Sequence, residues 1–274
     1  MQTAYENLRS KAGEAWRAIE QPARPLIRVQ RSTCGIAAGA DETLAALQRE
    51  VAERGLAVDV ATTGELGLCW LEPLVEVRKP DGTLVLYQKV TADKVAKLLD
   101  EAVDGVCRDL AFASIGPAVD GVQRLEDFEY WRIQERRFLA RCGVIDPENI
   151  DHYIATGGYE GFANALEQPP EEIIETLNAS TLRGRSGSNF PTGRKWDFLR
   201  GKTRGPKYLL NNADEGDPGA FVNRILMECD PHATIEGMLI GGGVGEALHG
   251  QGRLQRGLGP AAAGCFRKKK NRRI

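Results

Sequence analysis

Residues 26 to 103 switch repeatedly between a strand period and a helix period, in an order that narrows the choice of fold. Leu26 to Gln30 reads as a strand. Thr43 to Glu53 reads as a helix, with Asp41 as its cap and Gly55 as its stop, and Leu56 to Ala61 reads as a second strand. Two more strands, Leu74 to Arg78 and Thr83 to Val90, are joined through Pro80-Asp81-Gly82, a hairpin turn signal. A helix from Ala92 to Val103 completes a βαβββα succession. That order is compatible with a small α/β domain in which a mixed sheet is covered by helices.

The flanking segments read as helical. Residues 4 to 19 place Leu8, Ala12, Trp16 and Ile19 on one face, and Pro22 and Pro25 end the helix. Residues 104 to 179 look like a connector of short helices, with Phe128 to Cys142 the most periodic and Pro147, Pro169 and Pro170 at helix starts. At 274 residues and 42% hydrophobic content, the chain has room for two domains with cores of their own. Glu6, Arg9, Lys11 and Glu14 interrupt the first twenty residues, and no stretch is long and apolar enough for a bilayer, so a cytoplasmic location without direct membrane insertion is expected. Six scattered cysteines with no CxxC pair fit reduced thiols better than a disulfide framework. The net charge of −2 conceals +7 in residues 241 to 274 against −9 before them.

Composition shifts at Ser180. Leu182-Arg-Gly-Arg-Ser-Gly-Ser-Asn-Phe-Pro-Thr-Gly-Arg-Lys-Trp196 is a glycine-rich loop running into a helix that begins near Arg194. Gly184, Gly187 and Gly193 give the backbone freedom to turn N–H groups toward an anion, and the helix start adds its positive end. Arg185 and Lys195 supply cations, while Phe190, Trp196 and Phe198 offer flat apolar faces to a ring system. A phosphate-bearing nucleotide or flavin is a fitting guest; a plain flexible turn is the competing reading. The loop is neither a Walker P-loop nor a GxGxxG fingerprint nor a GxSxG elbow. A short apolar strand, Lys207 to Asn211, then leads into Asn212-Ala-Asp-Glu-Gly-Asp-Pro-Gly219. Asp214, Glu215 and Asp217 would be repelled by phosphate, so they suit hydroxyl and amide donors, or else form a solvated turn. His152, His232 and His249 have no ligand partners at metal spacing, and His232 reads as opening a helix, so no metal site is expected.

Taken together, Leu182 to Trp196, Asn212 to Phe221, Met227-Glu-Cys-Asp-Pro-His232 and Ile235-Glu-Gly-Met238 resemble the flavin-binding signature of the NADH-oxidising subunits of complex I, NAD(P)-linked hydrogenases and formate dehydrogenases. Thr33-Cys-Gly-Ile-Ala-Ala-Gly39, Gly67 to Val75 and Cys142-Gly-Val-Ile-Asp-Pro147 resemble the versions with an N-terminal thioredoxin-like domain, a fold with which the βαβββα pattern is compatible. The resemblance covers roughly residues 26 to 240 and implies hydride transfer from NADH to FMN in a Rossmann-like domain, followed by single-electron transfer to iron–sulfur clusters. It also implies that Gly184, Arg185, Gly187 and Lys195 lie along the FMN, and that Asn212, Asp214 and Glu215 bond its ribityl chain and ring edges. Phe190 and Phe198 would stack the incoming NADH, and Asp217, with Glu215, would stand closest to the chemistry.

Three departures accompany the resemblance. Ser186, Ser188 and Asn189 replace small residues of the family's loop. Of the four cysteines that hold a 2Fe–2S cluster in related thioredoxin-like domains, only Cys34 and Cys69 have counterparts, with Glu65 where a partner of Cys69 is expected, so no cluster is expected there. After Gly242 the family's remaining flavin-domain segment, ubiquitin-like domain and 4Fe–4S domain are replaced by a stretch with no helical or strand period, which is expected to be a disordered, frameshifted tail.

The expected organisation is thus an N-terminal helix (1–25), a thioredoxin-like domain (26–104), a helical connector (105–179), an incomplete Rossmann-like FMN- and NADH-binding domain (180–242) and an aberrant basic tail (243–274). Expected partners are NADH and the iron–sulfur subunits of an NADH dehydrogenase, hydrogenase or formate dehydrogenase complex, with membrane association only through them and no nucleic acid. The rival expectation is a non-catalytic fragment that serves as a subunit-docking module.

Overall fold

The computed structural model describes residues 2–185, 187–202 and 207–245. Ser186 of the glycine-rich loop and residues 246–274 of the basic tail, with the expectations placed on them, lie outside the described residues. The chain is α/β and divides into two compact units, one of Arg9–Thr156 with Glu228–Asp230 and one of residues 1–8, 157–227 and 231–274.

In the larger unit, β1 (Leu26–Gln30) pairs parallel with β2 (Asp59–Thr63) and antiparallel with β3 (Val75–Arg78), which pairs antiparallel with β4 (Leu84–Tyr87). Beyond β4 lies β5 (Ala111–Ile115), giving the sheet order β2-β1-β3-β4-β5. The βαβ crossover followed by a ββ hairpin is the thioredoxin-like arrangement. The hairpin turns where expected: Gly82 adopts φ +87°, its N–H reaches the Lys79 carbonyl at 3.0 Å, and the Thr83 N–H donates to Asp81 Oδ1 at 2.8 Å.

Strand alternation sorts the core into two layers. Val85 and Tyr87 join Ile27, Val29, Val75 and Val77 under α3 (Ala40–Arg54) and α4 (Val95–Ala102), which contribute Leu47 and Leu98. Leu86, with Leu74, packs on the other face against Leu66, Leu71 and Leu125. All five residues of β1, which lies between β2 and β3, are buried, Arg28 included. Its guanidinium pairs with the equally buried Glu76 and donates to the Val144 carbonyl at 2.6 Å, so this charge sits in the core only because both ends are compensated.

Several sequence expectations need correction. Asp41 does not cap α3: Gly39, at φ +102°, precedes a helix starting at Ala40, and the Asp41 carboxylate instead accepts from Arg31 Nε at 2.7 Å. The second strand begins three residues later than expected because Val58 is drawn into the core and the ladder with β1 starts at Asp59. The connector is not all helical, since β5 lies within it. Phe128 to Cys142 forms only α5 (Glu129–Arg132): beyond it the chain runs in turns, with the Cys142 N–H donating to the Leu139 carbonyl at 3.1 Å, and the Arg136 side chain donates to the carbonyls of Leu66, Leu139 and Cys142. Along α1 (Gln2–Glu20), Tyr5, Ala12 and Trp16 are buried, whereas Leu8 is 55% exposed and not on the packed face.

The smaller unit contributes α7 (Glu160–Ala165), α8 (Pro170–Ala179), α9 (Thr192–Arg200), most of α10 (Val222–Cys229) and α11 (Pro231–Val244). Gly243 and Val244, read as the start of an irregular tail, are therefore helical. Glycine in α11 permits close approach: a β-carbon on Gly241 would stand 3.1 Å from the Trp196 ring and 3.3 Å from Leu209. Glu236 on the same helix accepts the N–H groups of Tyr159 (2.8 Å) and Phe162 (2.9 Å). Lys207–Asn211 forms no strand. A lone strand leaves its N–H and C=O groups unpaired, and the described residues of this unit contain no second strand for it to join.

Candidate functional site

The loop from Leu182 to Thr192 closes on itself. The Gly184 N–H donates to the Phe190 carbonyl at 2.9 Å, the Thr192 N–H donates to the Leu182 carbonyl at 2.9 Å, and Arg183 bridges to Pro191 between them. The turn relies on Asn189 at φ +47°, in the left-handed region that asparagine tolerates better than most residues. A side chain at this position of the loop is thus accommodated by the backbone itself.

The three loop glycines are not equivalent. A β-carbon on Gly187 would meet nothing within 4 Å and one on Gly184 nothing closer than 3.6 Å, so both face open ground. Gly193 is different: a β-carbon there would stand 2.4 Å from Asn178 Oδ1 and 2.9 Å from the Asn178 nitrogen. It is a packing glycine where α9 crosses α8, and not the source of loop freedom expected from its sequence.

Arg185 and Lys195 stand exposed beside this loop and on α9. Phe190 and Phe198 are brought together, with ring centroids 6.2 Å apart, and remain 41% and 54% exposed, which leaves an apolar surface beside the two open glycines. In the acidic loop, Asn212 Oδ1 accepts the Asp214 N–H at 3.0 Å and Asp217 Oδ1 accepts the Gly219 N–H at 3.3 Å, both local turns that leave Asn212, Asp214 and Asp217 exposed. Glu215 is placed differently. Its two carboxylate oxygens accept the N–H groups of Asn223 (2.8 Å) and Arg224 (3.1 Å), so it caps the start of α10.

His232 lies at the start of α11 as expected, its Nδ1 2.8 Å from the Tyr159 hydroxyl, and burial holds its pKa below the ordinary value. His152 is buried edge-on to Trp16 (5.2 Å between centroids), and its Nδ1 accepts the Asp146 N–H at 3.1 Å. Burial lowers its pKa too, against the opposing charge of Asp146.

The larger unit holds a second cluster, where the sequence suggested only separate thiols. Cys34 on the short helix α2 (Thr33–Ala37), Glu65 after β2 and Cys69 at the 3-10 turn before β3 place their ligating atoms within 4.8 Å of one another. Glu65 is fully buried, and the Ser32 hydroxyl donates to its carboxylate. Nearby Glu72 is pushed up to about 7 by burial, its Leu74 N–H bond opposing the shift and the charge of Glu65 adding to it. A 2Fe–2S cluster normally takes four thiolates, and a set of two thiols and one carboxylate does not fit it.

The segment that carries the glycine loop has known relatives. Residues 177–250 match the family described as the Nuo51 FMN-binding domain. The chain is 52% identical over 109 residues to the NADP-reducing hydrogenase subunit HndC of Solidesulfovibrio fructosivorans, covering 40% of this chain and 22% of that one. It is 51% identical over 92 residues to an NADH-quinone oxidoreductase subunit of Aquifex aeolicus, covering 34% and 21%. The chain thus spans about a fifth of the length of these relatives, both named as subunits of oxidoreductases or hydrogenases. Among solved structures, a thioredoxin-like [2Fe-2S] ferredoxin from Aquifex aeolicus aligns with 33% of this chain and 97% of its own at 18% identity, with a TM-score of 0.29. No helix among the described residues is long and apolar enough to cross a membrane.

Proposed function

We propose that this chain is a flavoprotein subunit that oxidises NADH within a multisubunit complex, a reading supported by the match of residues 177–250 to the Nuo51 FMN-binding domain. The observation that carries the proposal is the self-closed loop whose Gly184 and Gly187 face open ground beside two exposed phenyl rings. Open backbone, exposed cations and flat apolar faces together are what a flavin mononucleotide requires.

In this reading Gly184 and Gly187 let the backbone approach the flavin, while Arg185 and Lys195 neutralise its phosphate. Asn212 and Asp214 accept hydrogen bonds from the ribityl hydroxyls and the ring edge, as carboxylate and amide oxygens do. Glu215 acts through position: by capping α10 it fixes the loop that presents its neighbours. Phe190 and Phe198 stack the nicotinamide nucleotide, and Asp217 stands toward the nicotinamide side. FMN, when bound, supplies the chemistry, accepting a hydride and releasing electrons one at a time. Iron–sulfur subunits of an NADH dehydrogenase, hydrogenase or formate dehydrogenase are the partners proposed to receive them, and any association with a membrane would run through those subunits.

The engagement of Glu215 and Gly193 by protein contacts favours one rival, a docking module without turnover. Titration with FMN separates the two. The proposal expects saturable quenching of flavin fluorescence, bleaching of the bound flavin by NADH and NADH-dependent reduction of ferricyanide. Absence of flavin binding would overturn it, and flavin binding without bleaching would favour the docking module.

A further inference from the structure

We propose that Cys34, Glu65 and Cys69 form a mononuclear site for a thiophilic divalent cation of the zinc class. The donors come from three separate segments: a helix, the loop after β2 and the turn before β3. Their ligating atoms already lie within 4.8 Å of one another. A tetrahedral zinc ion holds sulfur and oxygen donors about 2.0 to 2.3 Å away, which sets them roughly 3.3 to 3.8 Å apart. Small side-chain rotations close the remaining gap. Two thiolates with one carboxylate suit zinc-class ions and disfavour magnesium or calcium, which take oxygen donors. Three protein donors leave the fourth tetrahedral position to water.

Three features of the surroundings support a built site. Glu65 has no exposed surface, and Glu72 is buried with its Oε1 lacking a hydrogen-bond partner, so two buried carboxyl groups cluster where a cation would compensate them. Glu72 belongs to the same pocket: its Oε2 lies 3.3 Å from where a β-carbon on Gly35, next to Cys34, would stand. The Glu65 loop is also rigidly held. The Gly64 N–H donates to the Ile145 carbonyl at 3.0 Å, the Glu65 N–H to Cys229 Sγ at 3.2 Å and the Leu66 N–H to Gln30 Oε1 at 2.9 Å. Finally, the Ser32 hydroxyl orients the Glu65 carboxylate, the kind of outer support that metal ligands commonly have.

The test uses the full chain, purified under reducing conditions, stripped with a chelator and titrated with Co2+ as a coloured stand-in for Zn2+. The expected result is one equivalent bound with thiolate-to-cobalt charge-transfer absorption, which Zn2+ abolishes by displacement. Cys34→Ser, Cys69→Ser and Glu65→Gln are each expected to weaken binding by about 100-fold and Ser32→Ala by about tenfold, with Cys107→Ser unchanged. A second measurement needs no variant: Zn2+ is expected to shield Cys34 and Cys69 of the native chain from iodoacetamide, read by peptide mass spectrometry. Four outcomes would overturn the proposal: no saturable binding; binding that survives the Cys34→Ser/Cys69→Ser double change; equal loss in Cys107→Ser; or two irons with acid-labile sulfide per chain.

Discussion

In the larger unit the loop carrying Glu65 is pinned from three sides by partners remote in sequence, whereas in the smaller unit the loop from Leu182 to Thr192 closes on itself. The first arrangement prepares donors before any guest arrives. The second supplies a frame with open glycines and exposed aromatic rings. Donor geometry thus defines the site in one unit. In the other, the site is defined by which positions are open and which are already used by protein.

The largest effect that could break this contrast belongs to the sheet. Arg28→Met leaves Glu76 buried without its counter-charge, and urea denaturation followed by circular dichroism is expected to show a loss of about 3 to 5 kcal/mol. A loss near zero would mean that the core is not held by this pair. Next in size is Gly193→Ala, expected to cost roughly 1 to 3 kcal/mol because the new methyl group meets Asn178. Gly187→Ala meets nothing and is expected to stay within about 0.5 kcal/mol of the parent while lowering FMN affinity. Equal stabilities for these two variants would erase the distinction between packing and guest-facing glycines.

Glu215→Ala is expected to cost about 1 kcal/mol through loss of the α10 cap, read by thermal melting without flavin. An unchanged melt together with lost FMN affinity would move Glu215 from a cap to a direct ligand. The smallest effect is a pH dependence. Because burial lowers the folded-state pKa of His152 below its ordinary 6.5, the unfolded chain binds the proton more readily. The stability tied to the neutral ring is therefore complete above pH 6.5 and falls away below it until the lowered value is passed. His152→Gln is expected to flatten that part of the profile of melting temperature against pH, and an unaltered slope would remove His152 as its source.

Much of the architecture was legible because it is written locally. Leu26 to Gln30 reads as a strand and is β1 with the same bounds, and Pro80-Asp81-Gly82 turns as its residue types require. β5 was missed because Ala113 and Ser114 are weak strand formers; antiparallel pairing with β4, with a bulge between Leu86 and Tyr87, makes it a strand. Lys207 to Asn211 failed in the opposite direction, having strand composition without a neighbour to pair with.

At the candidate flavin site, motif order singled out the glycine loop and the acidic loop as candidates, both within the segment 177–250 that matches the Nuo51 FMN-binding domain. It could not tell that Gly193 packs on Asn178 or that Glu215 caps α10, since both depend on neighbours outside the motif.

By itself, then, the sequence determined β1, the helix after it and the hairpin, and singled out the two candidate loops, because period, turn chemistry and motif spacing act within a few residues of each other. Only the tertiary structure decided that Arg28 would be compensated by Glu76, that β5 would extend the sheet, and that Cys34, Glu65 and Cys69 would converge. These are meetings between distant segments, and they depend on how the sheet stacks its strands rather than on any local preference.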